Sequence, residues 1–144
     1  MITERIFQIV VCLQLLRIAW GDWKTKRILN GHLGYLFLIV LAETLVSETY
    51  MFIDKIIGML IVSMPLFFIA VMWPGSFGGG DVKLMAICGI LLGSKGILHA
   101  FWIALLVAVM YCVWLLVLGK GRKTVISFGP FLCLGVILTL LEIF

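Results

Sequence analysis

Apolar residues along this chain occur in long runs that short polar connections separate. The runs cover residues 6–20, 32–46, 55–73, 82–93, 97–118 and 125–144. A membrane-spanning helix takes about 20 mostly apolar residues, and six such helices would use nearly the whole chain. The pattern therefore predicts an all-α, polytopic integral membrane protein with about six transmembrane helices. It also predicts one membrane-embedded domain over residues 1–144.

The connection before the fourth run differs from the others because it is rich in glycine. Residues 73–77 read Trp-Pro-Gly-Ser-Phe, and Gly78, Gly79, Gly80 and Asp81 follow. Glycine and proline weaken or break a helix, and a broken backbone persists in a membrane only where protein or water satisfies it. A carboxylate at such a place is costly and usually serves a function. We expect Asp81 at the mouth of a helix, near one membrane face.

Composition supports a membrane protein and argues against several kinds of partner and site. The chain is 64% hydrophobic and 12% charged, which excludes a soluble domain of 144 residues. The net charge of +4 does not indicate a nucleic-acid partner, and its distribution is better explained by membrane topology. All four cysteines lie in apolar runs without a C-x-x-C pair, so we predict no metal site, no disulfide framework and no cofactor.

The charged residues predict an orientation in the bilayer. The loops at 21–31, 74–83 and 119–124 fall on one face and carry most of the lysine and arginine, which makes that face cytoplasmic. Both termini then lie outside. Of the seven acidic residues, only Asp22 and Asp81 fall on the cytoplasmic face. Each stands where a span meets a loop, so the two carboxylates are expected at similar depth.

Two neighbouring carboxylates can hydrolyse a peptide bond. One, ionised, acts as general base on a water, while the other, protonated, polarises the scissile carbonyl and helps to protonate the leaving amine. The two titrate as a pair, so the sequence does not assign the acid or the base. The backbone of Gly78 to Gly80, free of side chains, could approach an extended substrate closely.

Three segments resemble the type IV prepilin peptidases, which are membrane aspartic proteases. G-G-G-D-V-K-L-M at 78–85 resembles their G-x-G-D motif, and Asp22 followed by R-I-L-N at 27–30 resembles their first-aspartate motif. F-G-P-F-L at 128–132 resembles a late segment of the family. The resemblance implies that Asp22 and Asp81 are the catalytic pair. It implies removal of a short basic leader, just ahead of a hydrophobic helix, from prepilin-like precursors at the cytoplasmic face of the inner membrane.

The chain departs from the family pattern in two ways. Leu29 stands where the family usually has proline. Many long relatives also carry a cytoplasmic domain with paired cysteines and N-methylate their product, whereas this chain resembles the short form associated with Flp or tight-adherence pili. We therefore do not expect N-methyltransferase activity. The sequence does not indicate an oligomeric state.

Other residues are interpreted as binding substrate or shaping the site: Gly78, Gly79, Gly80, Lys83, Asn30, Gly129 and Pro130. Each has a plainer explanation. Glycines also allow helices to pack closely, and Asn30 also suits a helix cap. Lys83 is either an interfacial lysine or a neighbour that tunes the charge of Asp81. Gly129 and Pro130 predict a kink or a late helix start.

Three other functions stay open from the sequence. Carboxylates beside broken helices are common in proton-coupled transporters, although no inverted repeat is visible. A presenilin-like protease shares G-x-G-D, but it would need a Tyr-Asp type partner motif, and Gly21 precedes Asp22 here. A non-catalytic assembly subunit would use the glycines for packing alone.

Overall fold

The computed structural model describes residues 2–46, 51–120 and 126–143, and these residues form five helices and no strand. The helices are α1 (Ile2–Thr25), α2 (Asn30–Val46), α3 (Phe52–Met72), α4 (Gly79–Val117) and α5 (Gly129–Ile143). Within the described ranges, α3 and α4 are long and apolar enough to cross a membrane. The all-α prediction is confirmed, and the six spans stay a prediction.

The first helix extends further than the sequence predicts. Residues 21–31 were expected to form a polar loop, but α1 continues to Thr25, so Asp22 lies in its last turn. The Lys26 N–H donates to the Asp22 carbonyl at 2.7 Å, which completes that turn. Lys26 then adopts a left-handed backbone with φ 55°, a common way for a helix to end.

The fourth and fifth apolar runs join into one helix with an internal break. Gly93 has φ 71° and ψ 179°, which residues with a side chain rarely adopt. The Ser94 hydroxyl and N–H both donate to the Asp54 carboxylate near the start of α3. The Asp54 carboxylate therefore accepts a hydrogen bond from the Ser94 N–H, a backbone group beside the break in the helix. The sequence predicts apolar segments at 82–93 and 97–118, and the structure has two helical halves of α4, residues 79–92 and 94–117, on either side of this break.

The last helix begins later than the sixth apolar run. The run was predicted from residue 125, which lies outside the described residues, whereas α5 starts at Gly129. Pro130 stands in its first turn. Proline suits this place because the first N–H groups of a helix have no intrahelical partner.

The first half of α4 lies at the centre of the fold. α4 packs against α2, α3 and α5, and α1 packs against α2 and α5. α3 and α4 cross closely at Gly58 and Gly89, where a side chain on either glycine would collide with the backbone of the other helix. The packing brings the end of α1 together with the beginnings of α4 and α5.

Candidate active site

A cavity of about 460 Å³ opens where α1 ends and where α4 and α5 begin. Three segments that are distant in sequence line it: the end of α1 with the residues after it, the connection between α3 and α4, and the residues just before α5. Its lining includes Asp22, Lys26, Arg27, Ile28, Gly75, Ser76, Phe77, Gly78, Gly79, Gly80, Asp81, Ile126, Ser127 and Phe128. The cavity therefore holds both carboxylates that the sequence singled out.

Asp81 is fixed by the start of its own helix. Gly78 is the N-cap of α4 and has an extended backbone. Its N–H donates to the Asp81 carboxylate, while the Asp81 N–H donates to the Gly78 carbonyl at 3.1 Å. The Asp81 side chain thus accepts from the N-cap N–H, as the acidic residue of a capping box does, and the helix N-terminus favours a negative charge there. Asp81 is only 8% exposed, so its position is well defined.

Asp22 is held from the opposite side, by residues at the start of α5. The Gly129 N–H donates to the Asp22 carboxylate, and the Ser127 hydroxyl lies next to that carboxylate. The Ser127 hydroxyl also donates to the Asp22 carbonyl oxygen at 3.1 Å. Burial raises the pKa of Asp22, and these two neighbours oppose the rise because they favour the charged form. A second helix start thus supports the second carboxylate.

The two carboxylates interact with each other. The charge of Asp22 acts directly on Asp81, and both side chains are less than a tenth exposed. Like charges in a poorly solvated space favour a state in which the pair holds a single proton. The two groups therefore titrate together, as a pair that can offer an acid and a base at once.

The glycines around the pair are not equivalent. A side chain at Gly129 would collide with the Asp22 carboxylate, so only glycine fits there without displacing the acid. A Cβ at Gly80 would lie 2.8 Å from Ile28 Cβ, which makes Gly80 the place where the α1–α2 connection touches α4. A Cβ added at Gly79 would meet nothing within 4 Å, because this residue faces the open cavity.

Two aromatic rings close one wall of the cavity. Phe77 and Phe128 meet edge to face, with ring centroids 5.4 Å apart. Phe77 belongs to the glycine-rich connection and Phe128 precedes α5, so the contact joins the segments that support Asp81 and Asp22. Pro130 is buried in the first turn of α5 and is not among the residues that line the cavity.

The remaining residues from the sequence analysis divide between two places. Gly78, Gly79, Gly80 and Gly129 surround the carboxylates, whereas Asn30 and Lys83 line a separate apolar groove beside α4.

Ser127 and Ile28 were missed by sequence reasoning. For Ser127 the available signal was a hydroxyl residue directly before the Phe128-Gly129-Pro130 helix start. Ile28 stands within the R-I-L-N segment at 27–30, but nothing in that segment shows which glycine it contacts.

Comparisons with known proteins agree on one family. A sequence profile described as the type IV leader peptidase family matches residues 9–113, a range that includes both aspartates. The chain is 30% identical over 142 residues to a prepilin leader peptidase/N-methyltransferase of Bacillus subtilis, covering 97% of this chain and 57% of that protein. It is 47% identical over 59 residues to the protein of that description in Xanthomonas campestris pv. campestris, covering 40% of this chain and 21% of the relative. The chain thus spans little more than half of the first relative's length. A search of solved structures gives no significant match.

Proposed function

This chain belongs to the type IV leader peptidase family, and from that premise we propose that it is an aspartic endopeptidase that removes leaders from prepilin-like precursors. One observation carries the proposal. Asp22 and Asp81, from different helices, share one cavity and interact electrostatically, and each is held by its own hydrogen-bond donors. A packing role for the glycines alone would not explain why two buried carboxylates are placed together.

In the proposed reaction the pair works with a single shared proton. The ionised carboxylate takes a proton from a water, whose oxygen bonds to the scissile carbonyl carbon. The protonated carboxyl donates its hydrogen to the carbonyl oxygen, and a proton then passes to the amine nitrogen as the C–N bond breaks. The open backbone at Gly79 leaves room for an extended substrate beside Asp81. Either aspartate can start as the acid.

The proposed substrate has a short basic leader followed by a hydrophobic helix, and Flp or tight-adherence precursors are the first candidates to test. The cut is proposed at the cytoplasmic face of the inner membrane, with both termini outside and six spans. In this topology the two halves of α4 count as separate spans, because the backbone breaks at Gly93. Methyl transfer, which the names of both relatives include, is not part of the proposal.

The first prediction concerns the pair itself. Co-expression with a precursor should show leader removal by the wild type, and Asp22→Asn and Asp81→Asn should each slow it by at least about 100-fold, the usual contribution of an acid or base. Glu142→Gln is a matched control, since its exposed carboxylate pairs with His99 elsewhere in the fold. We expect that variant to cleave at the wild-type rate.

Two outcomes would contradict the mechanism. Wild-type cleavage by either asparagine variant, at equal amounts in the membrane, would show that the pair is not required. Strong inhibition of the wild type by a metal chelator would also count against it, because two carboxylates and a water suffice for the proposed reaction.

A further inference from the structure

A second cavity lies beside the candidate active site. It is an apolar groove of about 330 Å³ between α2 and α3, with the first half of α4 as its floor. The groove exists because α2 and α3, in the described part of the chain, do not pack against each other. Its α2 wall includes Gly34, where an added Cβ would meet nothing within 4 Å. The remaining apolar lining includes Leu33, Phe37, Met59, Ile87 and Ile90.

The groove and the active-site cavity use the same two chain segments. Ile28 and Gly80 line the cavity. Asn30 and Lys83, two and three residues further along these segments, line the groove. Because α2 begins at Asn30 and α4 at Gly79, these two polar residues mark the end of the groove that is nearest to the carboxylates.

Beyond that end the groove is apolar. It follows α4 from Lys83 to Ile90, which corresponds to about 10 Å of helix, or two turns. An occupant that matches this lining has an apolar helical segment and a polar boundary beside Asn30 and Lys83. The chain that precedes such a helix would then lie level with Asp81.

We propose that this groove binds the hydrophobic helix of the precursor while the peptide just before that helix lies in the active-site cavity. The inference rests on the proposed function and adds the docking surface to it. An apolar helix laid in a groove makes contacts every three or four residues, and two turns supply two to three such contacts. Docking there would set the distance between the start of the helix and the carboxylates, and so select the bond that is cut.

A second groove serves as an internal control. It lies between α1 and α2, is similarly apolar and has a volume of about 310 Å³. Ile6, Phe7, Val10, Leu38 and Ala42 are among its lining residues. It shares no lining residue with the active-site cavity. An effect of volume or hydrophobicity alone should therefore appear equally in both grooves.

The proposal is tested by filling each groove. Gly34→Ala, Gly34→Leu and Gly34→Phe should slow cleavage of a co-expressed precursor progressively. The largest variant should lose about tenfold or more, because each buried apolar contact with the substrate contributes at least that much. Ala42→Phe, in the control groove, should cleave at the wild-type rate. Equal rates for Gly34→Phe and the wild type, with equal amounts in the membrane, would overturn the proposal.

A crosslinking experiment tests the occupant without relying on turnover. A benzophenone side chain is placed at position 34 or at position 42 of the Asp81→Asn chain, which retains uncleaved precursor. Position 34 should crosslink to the hydrophobic helix of the precursor, and position 42 should not. Crosslinks from position 34 only to lipid, or only to a second copy of this chain, would overturn the proposal. Failure of the proposed function is distinct, since the unmodified wild type would then leave the precursor intact.

Discussion

At the scale of single residues, Gly129 controls where Asp22 can lie. Its N–H donates to the Asp22 carboxylate, and the space that a side chain would need at position 129 is occupied by that carboxylate. Gly129 therefore supplies a hydrogen-bond donor to the Asp22 carboxylate and, because it has no side chain, also leaves space for that carboxylate. No other residue type can do both with this backbone, because any Cβ would collide with the Asp22 carboxylate.

We predict that Gly129→Ala slows leader removal at least about tenfold and lowers the free energy of unfolding by roughly 1–3 kcal/mol, as overpacking does. Gly31→Ala is the matched control, because nothing lies within 4 Å of its added Cβ. Its free energy of unfolding should not fall, because no atom has to move to make room for the added Cβ. Cleavage of a co-expressed precursor and denaturant unfolding in detergent measure the two quantities. Similar behaviour of both variants would contradict the steric argument.

The buried charge of Asp22 predicts a gain in stability when it is removed. Burial raises its pKa, so the folded protein binds a proton more readily than the unfolded chain and loses stability as the pH rises. Asp22→Asn keeps an acceptor for Ser127 and Gly129 but carries no charge. Its melting temperature should exceed that of the wild type at neutral pH, and the difference should shrink as the pH falls from the raised pKa towards about 4, the usual aspartate value, and stay constant below it. If the difference in melting temperature grew as the pH was lowered, the prediction would be contradicted.

At the scale of helices, the break at Gly93 determines how α4 reaches the site. The backbone there has φ 71°, and Asp54 holds the following residue, Ser94, by its hydroxyl and N–H. Gly58 and Gly89 bring the preceding half of α4 against α3. The direction of this half, and so the position of Asp81 at its start, depends on contacts at the far end of the segment.

Gly93→Ala should therefore disturb both fold and activity. Forcing a side chain into this backbone conformation costs about 1–3 kcal/mol, or else the break straightens and moves Asp81. The expected result is a lower unfolding free energy together with slower leader removal. Gly21→Ala should do the opposite for stability, a gain of roughly 0.5–1 kcal/mol, because alanine favours an α-helix and its Cβ meets nothing within 4 Å. Equal unfolding free energies for the two variants would show that a side chain at position 93 causes no backbone strain, and would contradict this prediction.

The helices also show which features the sequence could and could not predict. Charge topology placed Asp22 and Asp81 on one face, and the structure brings them into one cavity. The sequence could also have predicted the direction of Lys83. Two residues correspond to about 200° around a helix, so Lys83 faces away from Asp81. The bond between Ser127 and Asp22 joins positions 105 apart, and no local pattern encodes such a pair. The continuation of α1 to Thr25 was missed because the polar residues after Gly21 were taken as a loop, although polar residues can also continue a helix.

At the scale of the whole molecule, the ends of the helices alternate between two sides, and the candidate site lies on one of them. Ser76 lines the active-site cavity, whereas Lys95 follows the break in α4 and is exposed at the other end of that half. In the proposed topology Ser76 faces the cytoplasm and Lys95 faces the outside. The two positions therefore report the orientation of the site in the membrane.

Cysteine labelling tests this orientation. In a chain whose four native cysteines are replaced by alanine, a membrane-impermeant maleimide should label Lys95→Cys in intact cells. It should label Ser76→Cys only after the cells are permeabilised. The cysteine-free parent is the control for background. The reverse pattern would place the carboxylates on the outer side and would contradict a cytoplasmic cut.

The short first half of α4 has a consequence for the surrounding lipid. Residues 79–92 rise about 21 Å, whereas the hydrocarbon layer of a typical bilayer is about 30 Å thick. An upright segment of this length does not reach from one head-group layer to the other. The mismatch is relieved when the lipid thins beside α4 or when water fills the gap above its first turn. In the proposed topology, water then reaches Asp81 from a depression in the membrane surface. The thickness of the host bilayer is therefore expected to influence how readily the proposed site opens to its substrate.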